Sequence, residues 1–545
     1  MMKSIDENFK FMILETGKQV QDVRRCLTGR DARRLNRMHE RDDYIDTLNN
    51  QIQTKCFASR SQRSADAIEY LKALDTISRN LERIGDYAVG VVDQIRYIED
   101  PQILDDFDWE TPLKDSIRVI KAIDKAFFEK SVETALQICR AEHKIDEIYS
   151  HVLHEILRRL PGAEKTGDLL TCLFIFQYLE RLGDALLNIG EAVLSMNMGE
   201  KIRINQYVSF KEVTDAAIPD LNLSSEDLVF RSLGETRSGC RINQIGVKDI
   251  EESGKKNVVF KDGPSRKIAR EKESLDRWAE IAPGLTPRVL GFRKGKRDSS
   301  ILLEFLAGRN FRDIVIEGSG RDASAAFDRI GHVVDDLWSR TIRKRRVQVN
   351  MVDQIRERIA DVYTVHPDFR APHYKIGALD VPSFEERLRS ARQIEKELAA
   401  PFSVWTHGDF NLDNILFDQQ EKQVHFLDVY RSGRKDYVQD VSVFIVSAFR
   451  LPVFEPAARR RIYRTIERMY EFARGFASRH HDATFQARLA FGLVRSFTTS
   501  TRFELDQEFA KDMMLRAFYL LEKITDHKGE AWEEFCIPGH VLTTA

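Results

Sequence analysis

Val404-Trp-Thr-His-Gly-Asp-Phe-Asn-Leu-Asp-Asn-Ile-Leu-Phe417 places a histidine at 407, an aspartate at 409 and an asparagine at 414. Val424-His-Phe-Leu-Asp428 adds a second aspartate after what reads as a short hairpin. Transfer of a phosphoryl group from ATP to a hydroxyl calls for this set in this order. One carboxylate faces the acceptor, while an amide oxygen and a second carboxylate hold the magnesium that neutralises the phosphates. Asp409 is the candidate base or hydroxyl-orienting residue, and Asn414 and Asp428 are the candidate magnesium ligands, both hard oxygen donors. His407 completes the catalytic segment and is expected to brace the loop rather than react.

The same chemistry pairs a strand lysine with a helical glutamate, which together position the α and β phosphates. Lys261 closes the strand-like Val258-Val-Phe-Lys261, and Glu271 follows in a helical stretch, with Glu273 the less favoured choice. Gly234-Glu-Thr-Arg-Ser-Gly-Cys-Arg241 lies where a phosphate-covering loop belongs, although two glycines are a weak signal. Glu304-Phe-Leu-Ala-Gly308 is the expected hinge between two lobes, its backbone near Leu306 meeting the adenine edge. Each feature alone is ordinary: H-G-D strings are common, and a strand-end lysine or helical glutamate usually just meets solvent. Their order, on the expected element types, carries the reading.

Such residues need a scaffold, and 545 residues exceed a single core. A chain with 42% apolar and 31% charged residues is ordinary for a soluble, helix-rich protein. The formal charge of -2 offers no global basic field for nucleic acid, so no nucleic-acid partner is expected. Six cysteines without a C-x-x-C pair suit reduced thiols. Met1-Met-Lys-Ser-Ile-Asp-Glu lacks the apolar stretch of a signal peptide, and the apolar run from 169 to 179 is too short to span a bilayer, so a cytoplasmic location is expected.

Residues 1–205 contain three prolines, at 101, 112 and 161, and their apolar periodicity predicts helices near 5–27, 31–58, 63–98, 111–128, 131–159 and 166–197. This half repeats itself. Asp31 and Ser131, both plausible N-caps, each precede an aspartate by fifteen residues, Asp46 and Asp146. Asn80-Leu-Glu-Arg-Ile-Gly-Asp86 answers Tyr178-Leu-Glu-Arg-Leu-Gly-Asp184. Glu82 with Asp86, and Glu180 with Asp184, are like-charged i,i+4 pairs, destabilising unless a cation or a basic side chain such as Arg83 or Arg181 neutralises them. A divalent metal or iron is one such tenant. After residue 205, short strand-like runs appear, and helices dominate beyond 321 except around 404–430. Residues 206–228 read as a connector, with Tyr207-Val-Ser-Phe210 able to add an edge strand. The basic runs Arg340–Arg346 and Arg459–Arg464 read mainly as solvated helix faces.

Residues 229–530 resemble the aminoglycoside phosphotransferase (choline kinase-like) family through Thr406-His-Gly-Asp-Phe-Asn-Leu-Asp-Asn-Ile-Leu416 and Phe426-Leu-Asp-Val-Tyr-Arg-Ser-Gly-Arg-Lys-Asp-Tyr-Val-Gln-Asp440. The resemblance implies an ATP- and magnesium-dependent kinase of a small-molecule hydroxyl, with Asp440 as the buried acid that anchors the catalytic loop. Val429-Tyr430 departs from the family pattern of a small or aromatic residue followed by Gly or Trp. Leu81-Glu-Arg-Ile-Gly-Asp-Tyr-Ala-Val89 and Leu179-Glu-Arg-Leu-Gly-Asp-Ala-Leu-Leu-Asn-Ile189 resemble the duplicated E-x-x-x-D signature of PhoU-type phosphate-signalling regulators. That resemblance implies two three-helix bundles, metal bound through Glu82, Asp86, Glu180 and Asp184, and partners in phosphate transport or a sensor kinase. Tyr87 and Ala185 stand where that family often has histidine.

The expectation is a multidomain chain: an all-α PhoU-like domain at 1–205 with repeats at about 5–100 and 110–200, a connector at 206–228, and an α+β bilobal kinase-like fold with lobes at 229–308 and 309–545. The rival is a nucleotide-binding regulator that transfers nothing. Oligomeric state, including a homodimer, stays open.

Overall fold

The computed structural model describes residues 2–29, 35–58, 65–199, 202–217, 228–235, 241–247, 257–348, 350–527 and 529–543. Periodic apolar residues fold the first two hundred into six long helices: α1 (Met2–Gly29), α2 (Leu35–Ala58), α3 (Ala65–Ile95), α4 (Glu110–Phe128), α5 (Val132–Arg159) and α6 (Thr166–Met198). Ser131 caps α5 by accepting from the Thr134 N–H, whereas Asp31 lies outside the described residues. Helices α1–α3 and α4–α6 form two three-helix sets, with α3 packed along α6. The 169–179 run lies inside α6, whose buried residues surround most of its circumference, as befits a core helix. No helix among the described residues is long and apolar enough to cross a membrane.

Residues 207–210 correct the edge-strand expectation, because they belong to helix α7 (Ile204–Ala217). Tyr207, Phe210 and Val213 are buried at spacing three, so a helix hides all three on one face where a strand would split them. Three strands follow: β1 (Leu228–Glu235), β2 (Arg241–Val247) and β3 (Val258–Pro264), paired antiparallel in that order. Phe210 meets Phe260 of β3 edge-on at 5.4 Å. By contact density the chain divides into two compact units, 1–263 with 300–302, and 264–299 with 303–545.

The second unit opens with α8 (Ser265–Ile281), β4 (Val289–Arg293), β5 (Asp298–Glu304), β6 (Arg309–Asn310), α9 (Phe311–Glu317) and α10 (Gly320–Thr341). Ser319 and Asp322 close a reciprocal capping box on α10. Short helices α11 (Met351–Arg356) and α12 (Ile359–Val365) precede the hairpin of β7 (Tyr374–Ile376) and β8 (Leu379–Val381), a pair the sequence did not signal. Then come α13 (Phe384–Glu397), β9 (Val404–Thr406), the hairpin β10 (Ile415–Asp418) and β11 (Gln423–Phe426), β12 (Gly433–Lys435), α14 (Val438–Phe449), α15 (Pro456–Arg479), α16 (Phe485–Ser500) and α17 (Gln507–Asp526). Helix α16 is buried from 487 to 499 without interruption and forms the core of this unit.

Close packing in the first unit depends on Gly190 of α6. A Cβ there would lie 2.4 Å from the Cys139 Sγ and 2.9 Å from the Ala135 carbonyl oxygen of α5. In an exposed helix, Gly→Ala stabilises by roughly 1 kcal/mol. Here Gly190→Ala is expected to destabilise the full chain by about 1–3 kcal/mol in denaturant unfolding, because backbone must move. A stabilising result would remove the close approach of α5 and α6.

Candidate active site

Asp440, 2% exposed at the start of α14, organises the catalytic segment. Its two carboxylate oxygens accept the N–H groups of His407 at 2.7 Å and Gly408 at 2.8 Å, so one side chain fixes two successive peptides. Burial raises the Asp440 pKa, opposed by those two N–H donors. Gly408 turns the chain with φ +83, and a Cβ there would lie 2.2 Å from the Arg431 carbonyl oxygen, so no other residue fits without displacement.

From this anchor, hydrogen bonds run through the whole site. His407 Nε2 meets the Leu427 carbonyl at 2.9 Å, and its Nδ1 accepts the Asp409 N–H at 3.2 Å. A carbonyl can only accept and an N–H can only donate, so both ring nitrogens are committed in a neutral imidazole with the proton on Nε2. Asn414 Nδ2 donates to the Asp409 carbonyl at 2.9 Å, and Leu427 N–H donates to the Asn414 carbonyl at 2.9 Å. Asp409 and Asn414 are thus held on one continuous network that reaches Leu427, the residue before Asp428; all three site residues are half-buried. Asn414 spends its amide nitrogen on the loop, which leaves Oδ1 as the atom for a cation. Asp428, two residues beyond β11, lies in the left-handed region at φ 57 and starts a tight turn, Val429–Arg431. That turn brings Arg431 Nη1 to 3.0 Å from the Asp409 Oδ2. One amide oxygen and one carboxylate suit magnesium, which keeps several waters and takes phosphate oxygens besides.

The other residues named from sequence are placed as follows. Lys261 is 4% exposed in β3 of the first unit, opposite Ile242 of β2. Glu271 is 4% exposed on α8 of the second unit, whereas Glu273 is exposed and paired with Arg277. Helix α8 is fixed to the catalytic segment by Trp278, whose Nε1 donates to Ser432 Oγ at 2.8 Å; that hydroxyl in turn donates to the His407 carbonyl at 3.1 Å. Glu304 ends β5 in a bidentate pair with Arg288 at 2.9 and 3.0 Å, and Leu306 is half-buried in the segment that follows. The centre of the expected phosphate-covering loop, 236–240, lies outside the described residues.

Sequence reasoning missed Arg431, Ser432, Gln439 and Arg495. Arg495 carried a signal: a lone arginine inside apolar Phe491-Gly-Leu-Val-Arg-Ser-Phe497. The basic runs that did draw notice include packing residues, since Arg459 lies over four aromatic rings and Arg461 Nε donates to the Val315 carbonyl at 2.9 Å.

In the first unit, α2 and α3 bring ligand atoms of Asp46, Glu82 and Asp86 within 4.8 Å of one another. Burial, then the charges of Asp86, Asp46, Glu82 and Asp43, push Asp42 up to about 7. Burial and neighbouring carboxylates likewise raise Asp46, Glu82 and Asp86, and in the second repeat Glu142, Glu180 and Asp184. Asp42 Oδ1 is buried with no hydrogen-bond partner. The carboxylates therefore repel one another and fit a hard cation, although among the described residues only the first repeat brings three so close.

Comparison with known proteins finds two families in the chain, and the second match begins within the first compact unit. The PhoU domain model matches residues 9–95 and 114–193, and that of the phosphotransferase enzyme family matches residues 247–477. A phosphate-specific transport system accessory protein PhoU homolog of Clostridium acetobutylicum is 25% identical over 34% of this chain and 88% of its own length. PhoU homolog 1 of Thermotoga maritima is 25% identical over 37% and 88%. Among solved structures, PhoU from Streptococcus pneumoniae aligns over 37% of this chain and 97% of its own at 18% identity, TM-score 0.35. Aminoglycoside phosphotransferase APH(4)-Ia aligns over 59% and 99% at 14% identity, TM-score 0.37. The fold and the matched families define a two-part protein, a helical domain joined to a phosphotransferase domain. The chain carries a PhoU domain in its N-terminal half and a phosphotransferase-family domain in its C-terminal half.

Two outcomes follow from the site. Asp440→Asn keeps the volume but replaces one acceptor oxygen with a donor facing an N–H, so it should cost roughly 1–3 kcal/mol in denaturant unfolding and free the 407–409 amides to exchange. In the helical domain, the folded pKa of Asp42 lies above its ordinary value of 3.8. Its contribution is fully present below about pH 4 and is lost as pH rises through about 7. In chelator-treated buffer, Asp42→Asn should raise the first calorimetric Tm most at pH 8, less at pH 5, and leave it nearly unchanged below about pH 4. An equal shift at both pH values would exclude this titration.

Proposed function

We propose that the chain is an ATP-dependent kinase of a small-molecule hydroxyl, regulated in step with phosphate status through its PhoU domain. The observation that carries the reading is the single hydrogen-bonded network joining Asp409 and Asn414 to Leu427, the residue between β11 and Asp428. Within this reading the helical domain spans 1–205, the connector 206–228, and the kinase lobes 229–308 and 309–545, in the cytoplasm.

Asp409 orients the acceptor hydroxyl and takes its proton as the acceptor oxygen bonds to the γ-phosphorus; the bond to the departing ADP oxygen breaks. Arg431 fixes the orientation of the Asp409 carboxylate before the acceptor arrives. Asn414 and Asp428 hold magnesium, which neutralises the phosphates when bound. Lys261 and Glu271 serve the α and β phosphates, and the backbone at Glu304–Leu306 serves the adenine. Asp440 and His407 keep the loop in shape. Glu82, Asp86, Glu180 and Asp184 hold a divalent metal or iron in the PhoU domain, and a phosphate-transport or sensor-kinase component is the partner. The clamp of Arg431 on Asp409, beside the unusual Val429-Tyr430, favours the second reading, a nucleotide-binding regulator without turnover.

Magnesium-dependent ATP consumption by the full chain, against a pool of hydroxylated metabolites, tests the first reading. Asp409→Asn should lower kcat about 10²–10⁴-fold while nucleotide affinity is retained. Nucleotide binding without turnover in the unaltered chain would favour the regulator.

A further inference from the structure

Two arginines lie seven residues apart, two turns of α16, and both are buried: Arg488 at 2% and Arg495 at 8% exposure. Arg488 is compensated. Its guanidinium binds Asp436 and Asp482, and the Tyr437 hydroxyl donates to Asp482 at 2.7 Å. Arg495 has no such partner. Its Nε and Nη2 are buried without a hydrogen bond, and no carboxylate lies within ion-pair distance of it among the described residues. Burial, then the charge of Arg358, pushes its pKa down to about 10, with Arg431 adding to the shift and the more distant carboxylates of Asp409 and Asp440 opposing it. An unpaired buried guanidinium costs several kcal/mol, so a fold keeps one where a ligand supplies the missing anion.

Arg495 lines a cavity of about 400 Å³ beside the catalytic segment, where Gly408 and Gln439 form part of the wall. Arg270, Arg358, Arg431, Arg434 and Lys435 line it too, so six basic residues meet there. The one acid of the wall, Asp436, is already committed to Arg488, and among the described residues only Arg431 of the six is ion-paired with a carboxylate. Lys435 is pushed below its usual range by burial, although Asp440 opposes the shift; Arg495, Arg270 and Arg431 add to it. None of Asn414, Asp428, Glu304 or Leu306 lines the cavity, and Asp409 itself stands behind the wall, reached through its neighbour Gly408 and through Arg431, which lies 3.0 Å from its carboxylate.

We infer that this cavity is the acceptor site and that the acceptor is a small phosphorylated hydroxyl compound, a sugar or polyol phosphate, whose existing phosphate is held by Arg495 and Arg358. The inference rests on the phosphotransferase reading for its chemistry but on the cavity alone for its charge. A dianionic phosphate supplies the counter-charge that Arg495 lacks within the fold, and guanidinium forks match phosphate oxygens in pairs. A free hydroxyl elsewhere on the same molecule then faces Asp409. Polycationic acceptors such as aminoglycosides meet a wall of like charge and are excluded.

The test is calorimetric binding to the full chain saturated with Mg-ADP, using three- to seven-carbon sugar and polyol phosphates, their unphosphorylated parents, glucosamine and inorganic phosphate. Turnover with Mg-ATP is assayed in parallel on the same compounds. At least one phosphorylated compound should bind at least about tenfold more tightly than its parent and than inorganic phosphate. Arg495→Gln and the half-buried Arg358→Gln should each weaken that binding by about 10- to 100-fold and leave ADP affinity unchanged. Arg358→Gln keeps the test valid if Arg495→Gln does not fold. Equal or tighter binding of the neutral parents or glucosamine overturns the inference, as does phosphate-compound binding that survives both variants. Inorganic phosphate binding as tightly as every phosphorylated compound also overturns it, because the cavity would then be a free-phosphate site. A loss of ADP affinity in the variants would reassign the arginines to the nucleotide. Binding as expected with no turnover of any compound would sink the phosphotransferase reading and leave the anion site standing.

Discussion

A single buried carboxylate, Asp440, bears the geometry of the candidate active site. Two consecutive N–H groups that would otherwise be orphaned in a dry interior end on its two oxygens. Once those peptides are fixed, the left-handed turn at Gly408 is fixed, and with it the direction in which Asp409 leaves the strand. His407 then reaches Leu427, so that the catalytic loop and the end of β11 move as one piece. Asn414 closes the circuit by tying its amide to the loop and its carbonyl to Leu427. Removing any later link loosens one residue, but removing the first loosens them all.

Buried charge shapes both units, with opposite solutions. In α16 one arginine is neutralised within the fold by Asp436 and Asp482, and a second is left facing a basic cavity. In the helical domain the excess is negative, with Asp42, Asp46, Glu82 and Asp86 crowded on α2 and α3 and raised in pKa by burial and by one another. Neither arrangement is one that packing alone would select, since apolar residues of similar volume would be cheaper to bury.

Much of the architecture was legible because its signals are local. Periodicity of three and four delimits the six long helices, and the duplicated E-x-x-G-D strings reveal the repeat. The helix α7 was misread because a four-residue window at 207–210 shows no period; only the burial of Tyr207, Phe210 and Val213 together reveals it. The hairpin of β7 and β8 escaped notice for a like reason, being two three-residue strands.

The sequence by itself determined which residue types were available for phosphoryl chemistry and in what order, since Asp409, Asn414 and Asp428 lie within twenty residues of one another. It also determined the helical repeat and the class of each half. Tertiary structure alone decided that Arg431 reaches Asp409, and that Arg358, Arg434 and Arg495, spread over 138 positions, meet in one cavity. Tertiary structure also made one arginine of α16 neutral in context and the other not, although both look alike in the string. The physical reason is range. Backbone propensity and periodicity act over a few residues and are written in the sequence, whereas electrostatic compensation depends on distances in space that chain folding sets.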